Sequence, residues 1–249
     1  MNSKIIAIAN HKGGVGKTTT TAAVGQALAR KGRNVLLVDL DAQANLTSFF
    51  INEENVESSV YDALIGRAER LPTIKAGERL FIAPSTLELA RAETDLAGRI
   101  ARERILSNLV ERERDSYDYI LLDCPPSLGI ITTNALAAAT DLYIPLTAEA
   151  LPLVGLKMLE EIVAEVRRSI NGSLAVSGVI ITRYNNRKLN KAVLDAIRAK
   201  YGDRVFATKI RENIAVAETP LYGGNIFEYA PDSNGAKDYE ALADEILNR

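Results

Sequence analysis

The sequence is poor in the residues that build many kinds of site. It has one cysteine, Cys124, and one histidine, His11. A single thiol cannot close an internal disulfide, and one histidine beside one cysteine cannot assemble a Cys/His metal cluster. Any metal must therefore be held by oxygen ligands. No window approaches 18 uncharged apolar residues, and Met1-Asn2-Ser3-Lys4 runs straight into an apolar strand with no signal-peptide core. The expected location is the cytoplasm, without a membrane anchor. Pro/Ser-rich linkers, low-complexity tracts and internal repeats are also missing, so residues 1–249 are expected to form one domain.

What is present is ordinary in bulk and uneven in detail. With 47% hydrophobic and 25% charged residues over 249 positions, the chain has the composition of a globular protein able to bury roughly three quarters of its unfolded surface. The net charge of -2 hides an asymmetry. Between Asn171 and Arg211 nine basic residues face two acidic ones, a segment of +7 that leaves -9 for the remainder. Such a segment is either a footprint for a polyanion or a solvated helix face.

Short Val/Ile-rich runs alternate with segments of helical period, the pattern of βαβ units. Strands are expected at Ile5–Ala9, Asn34–Asp39, Leu80–Ala83, Tyr119–Asp123, Asp141–Pro145, Ala175–Thr182 and Val205–Ala207. Helices are expected at Thr18–Arg30, Arg99–Arg114, Ile130–Ala139, Pro152–Ile170, Leu189–Tyr201 and Gly235–Leu247. Gly32 and Gly172 are placed where a left-handed C-cap would end two of them. Residues 45–77 show weak periodicity and read as surface helices and loops. The expected fold class is α/β, a mostly parallel twisted sheet with helices on both faces.

The strand Ile5–Ala9 leads into Lys12-Gly13-Gly14-Val15-Gly16-Lys17-Thr18-Thr19 and then an alanine-rich helix. Strand, glycine loop and helix in that order make a phosphate-binding loop. Glycines 13, 14 and 16 can take positive φ and leave backbone N–H groups open to phosphate, and the helix start adds its partial positive charge. Lys17 is placed to reach the β- and γ-phosphates of ATP, Thr18 to ligate Mg²⁺, and Thr19 to touch the α-phosphate. The usual pattern needs glycine at position 11, where this chain has His11, followed by a second lysine, Lys12.

That loop resembles the deviant Walker A motif of the ParA/MinD ATPase family, and similarity to its ParA/Soj branch continues through most of the chain. The resemblance implies a P-loop fold, weak intrinsic ATP hydrolysis and an ATP-sandwich homodimer into which Lys12 reaches. In Val35-Leu36-Leu37-Val38-Asp39-Leu40-Asp41, it gives Asp41 the attacking water and Asp39 the magnesium and lysine network, although either aspartate could instead cap a helix. Tyr119–Ser127 resembles Walker B, with Asp123 holding the metal through water, and Cys124 reads as a packing residue. Thr182-Arg183-Tyr184-Asn185 is similar to a purine-contacting stretch, with Asn185 a base contact or a turn asparagine.

The run Ile210–Pro220, with Tyr229-Ala230-Pro231 and Gly235–Tyr239, is similar to partition ATPases of the ParA/Soj kind. Many relatives carry Pro-Arg-Asn-Val-Arg where this chain has Arg211-Glu212-Asn213-Ile214-Ala215, so Glu212 and Ala215 cannot make the phosphate contacts of those arginines. Arg211 is assigned to the nucleotide site, and Arg183, Arg187, Lys188, Lys191 and Arg211 to sequence-independent DNA binding at the nucleoid. The implied partners are DNA and a ParB-like centromere-binding protein, in plasmid or chromosome partition. A same-fold ATPase positioning another cargo, such as a conjugation or chemotaxis assembly, or a MinD-like regulator, is the alternative. The acidic stretch Asp238–Arg249 lacks a membrane-surface face, and a loop so near the start leaves no expected helix-turn-helix domain. Amidation or reduction enzymes find no support in a cluster-binding cysteine pair, and a tyrosine kinase none in a terminal tyrosine cluster.

Overall fold

The computed structural model describes residues 3–148 and 153–249. Among these residues eight strands form one sheet: β1 (Lys4–Ile8), β2 (Val35–Asp39), β3 (Ile74–Gly77), β4 (Leu80–Ala83), β5 (Tyr119–Asp123), β6 (Asp141–Thr147), β7 (Ala175–Tyr184) and β8 (Val205–Arg211). Their order is β3-β4-β2-β5-β1-β6-β7-β8, and every pairing is parallel except β3 with β4. β2 is buried at all five positions, as a strand covered on both faces must be, which is why it reads as an unbroken apolar run ending in a carboxylate.

The helices are α1 (Lys17–Arg30), α2 (Asn45–Ser48), α3 (Val60–Leu64), α4 (Ala92–Asp95), α5 (Ile105–Glu111), α6 (Ile130–Ala138), α7 (Leu153–Ser169), α8 (Lys188–Tyr201), α9 (Ile214–Glu218), α10 (Ile226–Tyr229) and α11 (Asn234–Leu247). Two apolar cores lie on opposite faces of the sheet. One gathers Val38, Leu122, Leu142 and Ile181 with residues of α6, α7 and α8; the other gathers Ile6, Leu37, Leu121 and Phe206 with α1 and α11. α1 lies so close to the sheet that a Cβ at Gly25 would stand 2.5 Å from Leu37 Cδ2.

The sequence-based strands are all present, and β6, β7 and β8 run further than expected. β8 extends to Arg211 because α11 covers it: the Glu245 carboxylate accepts the Ala207 and Thr208 amides at 2.9 and 3.0 Å. β3 was not expected. Its four residues pair antiparallel with β4 across Glu78-Arg79, where Arg79 takes φ +56, and so short a strand at the sheet edge leaves little alternation to read.

The expected helix Arg99–Arg114 is broken into a 3-10 turn, Arg102–Arg104, and α5; Ala101 at φ +53 interrupts it. The beginning of the helix expected from Pro152 lies outside the described residues, and α7 ends at Ser169. Gly32 has the positive φ expected of a C-cap, whereas Gly172 does not. The exit from α7 is held by Asn171, whose amide donates to the carbonyls of Leu136, Ala137 and Ala139 at the end of α6, so no left-handed glycine is needed.

Candidate nucleotide site

The phosphate loop leaves β1 between β5 and β6, at the carboxyl edge of the sheet, where open α/β folds bind ligands. Its head is fixed from two sides. Asn10 is buried, donates from Nδ2 to the Pro145 carbonyl at 2.7 Å, and accepts the Lys12 amide at 3.0 Å. His11 bonds through Nδ1 to the Pro126 carbonyl at 3.0 Å, tying the loop to the segment that follows β5. Gly14 and Gly16 have φ +70 and +84; Gly13 does not have positive φ. A Cβ at Gly13 or Gly14 would meet nothing within 4 Å, so the loop faces open space on the side a phosphate would approach. Val15 is buried, and its carbonyl accepts the Thr182 hydroxyl at 2.9 Å, which anchors the loop to β7.

Lys17 is the first residue of α1, with its side chain largely buried and its Nζ donating to the Lys12 carbonyl at 3.4 Å. Burial lowers its pKa, and the nearby carboxylates of Asp123 and Asp41 oppose that shift. A half-desolvated ammonium with one long hydrogen bond has much to gain from phosphate oxygens. Thr18 and Thr19 stand half-buried on the first turn.

Asp39 and Asp123 end neighbouring strands in direct register. Both are fully buried. Asp39 accepts three hydrogen bonds: Oδ1 takes the Asp41 amide at 3.1 Å, and Oδ2 takes the Thr47 amide at 2.8 Å and the Thr47 hydroxyl at 2.7 Å. Burial raises its pKa to about 6 against those bonds. The structure thus puts Asp39 at the head of α2, where it fixes the backbone of Asp41 and caps Thr47, a placement closer to the helix-capping alternative than to a metal ligand. Asp41 is half-buried and receives the Gln43 amide on Oδ1 at 3.0 Å.

Asp123 accepts the Thr21 hydroxyl on Oδ1 at 3.1 Å, and its buried Oδ2 has no well-formed hydrogen bond. Burial raises its pKa, the Asp39 charge adds to the rise, and Thr18, Thr21 and Lys17 hold against it. A buried carboxylate oxygen without a partner, beside a threonine hydroxyl and an open glycine loop, fits Mg²⁺, a hard cation that keeps its own waters. Among the described residues no group of three or more His, Cys, Asp or Glu could hold a metal ion. Cys124 is buried, and its thiol is pushed up by desolvation, so it is a packing residue.

A cleft of about 460 Å³ opens beside Gly14, Gly16 and Thr19, walled by Thr182, Arg183, residues 210–214, Val216 and Ala217. This is where a nucleoside joined to the loop's phosphates would lie. Asn185 is not in its wall. Its Oδ1 accepts the Arg187 amide at 3.2 Å and its backbone N–H donates to Asn190 Oδ1 at 2.9 Å, so it builds the turn into α8. Arg211 is in the wall, forked onto Asp238 with Nε–Oδ2 at 3.0 Å and Nη2–Oδ1 at 2.6 Å. A second cleft of about 440 Å³, at the far end of α1 around Arg30 and Phe49, contains no residue of the phosphate loop.

Arg187, Lys188 and Lys191 cluster, exposed, at the first turn of α8. Arg183 and Arg211 lie at the ends of β7 and β8, Arg183 within 3.8 Å of Glu212. Sequence reasoning did not single out Asn10, Thr21, Thr47 or Tyr239. The last donates or accepts across 3.2 Å to Thr20, docking α11 on α1. Only the threonine run 18–21, at a spacing that puts Thr21 one turn above Lys17, carried a signal for any of them.

Comparison with known proteins agrees with this geometry. A family profile described as an AAA domain matches residues 3–176. The sporulation initiation inhibitor protein Soj of Bacillus subtilis is 42% identical over 247 residues, covering 98% of each chain. The chromosome-partitioning ATPase Soj of Treponema pallidum is 39% identical, covering 99% of this chain and 98% of its own. Among solved structures, cobyrinic acid a,c-diamide synthase from Mycobacterium smegmatis, with bound ADP and magnesium, superposes with a TM-score of 0.86 at 33% identity, covering 98% of this chain and 94% of that one. A plasmid partition protein from Borrelia burgdorferi bound to AMPPNP gives 0.84 at 27% identity, covering 99% of both.

Proposed function

The chain belongs to the ParA/Soj family of P-loop ATPases, and from that premise we propose that it is a nucleotide-controlled partition switch that dimerises with Mg-ATP, binds DNA without sequence preference and lets go when a ParB-like partner speeds hydrolysis. The observation that carries the reading is the convergence of Lys17, Asp123 and Asp41 on a loop whose head presents a second lysine, Lys12. Mg-ATP supplies the electrophilic phosphorus and the cation that spreads its charge.

The protein's part is position and charge. Lys17 exchanges its 3.4 Å bond to the Lys12 carbonyl for phosphate oxygens. Thr18 and the unpartnered Oδ2 of Asp123 would hold a hydrated Mg²⁺. Asp41, set by the Asp39 carboxylate, orients the attacking water. Lys12, exposed at the loop head, crosses to the facing subunit, where it neutralises charge developing on the γ-phosphate. Arg187, Lys188 and Lys191 give α8 a cationic first turn for phosphate contacts, with Arg183 and Arg211 as flanking charges. Among the described residues no helix is long and apolar enough to cross a membrane. Cytoplasmic, nucleoid-associated action follows from DNA binding.

Lys12→Ala tests this. Sedimentation with Mg-ATP is expected to show monomer only, with hydrolysis lost and some nucleotide binding kept. A variant that still dimerises normally sinks the proposal.

A further inference from the structure

Lys17, Thr21 and Gly25 follow one another at intervals of four along α1, on the side turned to the sheet. Gly25 lets that side come close, since a Cβ there would stand 2.5 Å from Leu37 Cδ2 and 3.6 Å from Leu121 Cδ1. Leu121 and Asp123 are two apart in β5 and so point to the same face of the sheet. The close approach carries the Thr21 hydroxyl, fully buried, onto the Asp123 carboxylate, where it donates to Oδ1 at 3.1 Å.

Thr21 has one hydroxyl proton and two acceptors within reach, because the Lys17 carbonyl lies 3.0 Å from the same oxygen. A charged acceptor makes the stronger bond, so an ionised Asp123 draws the proton away from the carbonyl four residues back. Oδ1 is then engaged, and Oδ2, buried and without a partner, is the oxygen left over. Among the described residues no other well-formed hydrogen bond holds this carboxylate.

We infer that Thr21 is a positioning residue for the Mg²⁺ site. Its hydroxyl fixes the rotation of the Asp123 carboxylate, so that Oδ2 is the oxygen turned to the hydrated cation, and it ties that orientation to the helix that carries Lys17 and Thr18. Thr21 itself touches neither nucleotide nor metal. The inference deepens the reading of Asp123 as the carboxylate that faces the cation, and rests on it. A hydroxyl that merely satisfied a buried carboxylate would affect stability and leave the Mg²⁺ dependence of nucleotide binding untouched.

The test uses the full chain and a fluorescent ATP analogue, titrated with Mg²⁺ and in chelator. Thr21→Val keeps the shape and removes the donor; it should weaken Mg-dependent binding about tenfold and leave Mg-independent binding within a factor of about two. Thr21→Ser keeps the hydroxyl and should stay within a factor of about two of the parent chain in both. Added to Asp123→Asn, Thr21→Val should cost little more, because the group it orients has already lost its charge. Urea unfolding of the nucleotide-free chains checks that each is folded, and Thr21→Ala takes the place of the valine variant if that one is not. Equal losses with and without Mg²⁺, a Thr21→Ser chain as weak as Thr21→Val, or full additivity with Asp123→Asn overturns the inference. Asp123→Asn separates the premises. If that change leaves the Mg²⁺ dependence as it was, the reading of the cation site falls and the inference with it; if it abolishes the dependence while Thr21→Val does not weaken it, the inference falls alone.

Discussion

Replacing Thr47 by valine isolates the support beneath Asp39. The hydroxyl sits between two buried partners, donating to Asp39 Oδ2 at 2.7 Å and accepting the Ser85 amide at 2.9 Å. Valine keeps the shape and leaves both without it. Losing a hydrogen bond to a charged group costs about 1.5–3 kcal/mol, and an orphaned buried amide about 1–3 kcal/mol, so a loss of about 3–5 kcal/mol is expected. Against a total of about 5–15 kcal/mol, this is easily measured.

The loss should also depend on pH. The Asp39 pKa is about 6 in the folded protein, above its ordinary value, so its titration favours the fold most below the unfolded pKa and progressively less as pH rises through about 6. The Thr47 hydroxyl stabilises the ionised form, so the cost of Thr47→Val grows as Asp39 ionises. Urea unfolding of nucleotide-free protein in chelator, followed by circular dichroism at pH 5 and pH 8, measures both effects. A cost below about 1 kcal/mol, or the same cost at both pH values, refutes the account of Asp39 as a buried carboxylate held by Thr47.

Asp123→Asn should weaken Mg-dependent binding of a fluorescent ATP analogue about tenfold while leaving Mg-independent binding little changed; equal losses would place Asp123 outside the cation site. Glu245→Leu frees the Ala207 and Thr208 amides on the outermost strand, so it should cost about 1–2 kcal/mol after allowance for partial exposure and produce concentration-dependent scattering, which an unchanged, monodisperse variant would contradict. Gly178→Ala would bring a Cβ to 2.4 Å from Phe206 and 2.7 Å from Tyr143, rings packed edge to face, so thermal unfolding should show a loss of about 1–3 kcal/mol; an unchanged midpoint would mean that the two rings part freely.

The sequence alone determined the α/β class, the seven strands of the parallel sheet and the phosphate loop, because a strand buried on both faces must be an apolar run and a loop that admits phosphate must be nearly free of side chains. Both constraints are local, so they can be read along the chain. Asp39 shows where local reading ends. The family resemblance made it a candidate for the metal network, but only the fold shows Thr47, eight residues on, turning back to occupy its oxygen. Asn185 is similar: a purine contact and a turn asparagine look alike until its side-chain Oδ1 is seen to accept the Arg187 amide and its Nδ2 to reach Glu212. Only the tertiary structure could bring Asn10 to Pro145, His11 to Pro126 and Tyr239 to Thr20, because each pair joins residues more than a hundred positions apart that meet only when the sheet has formed.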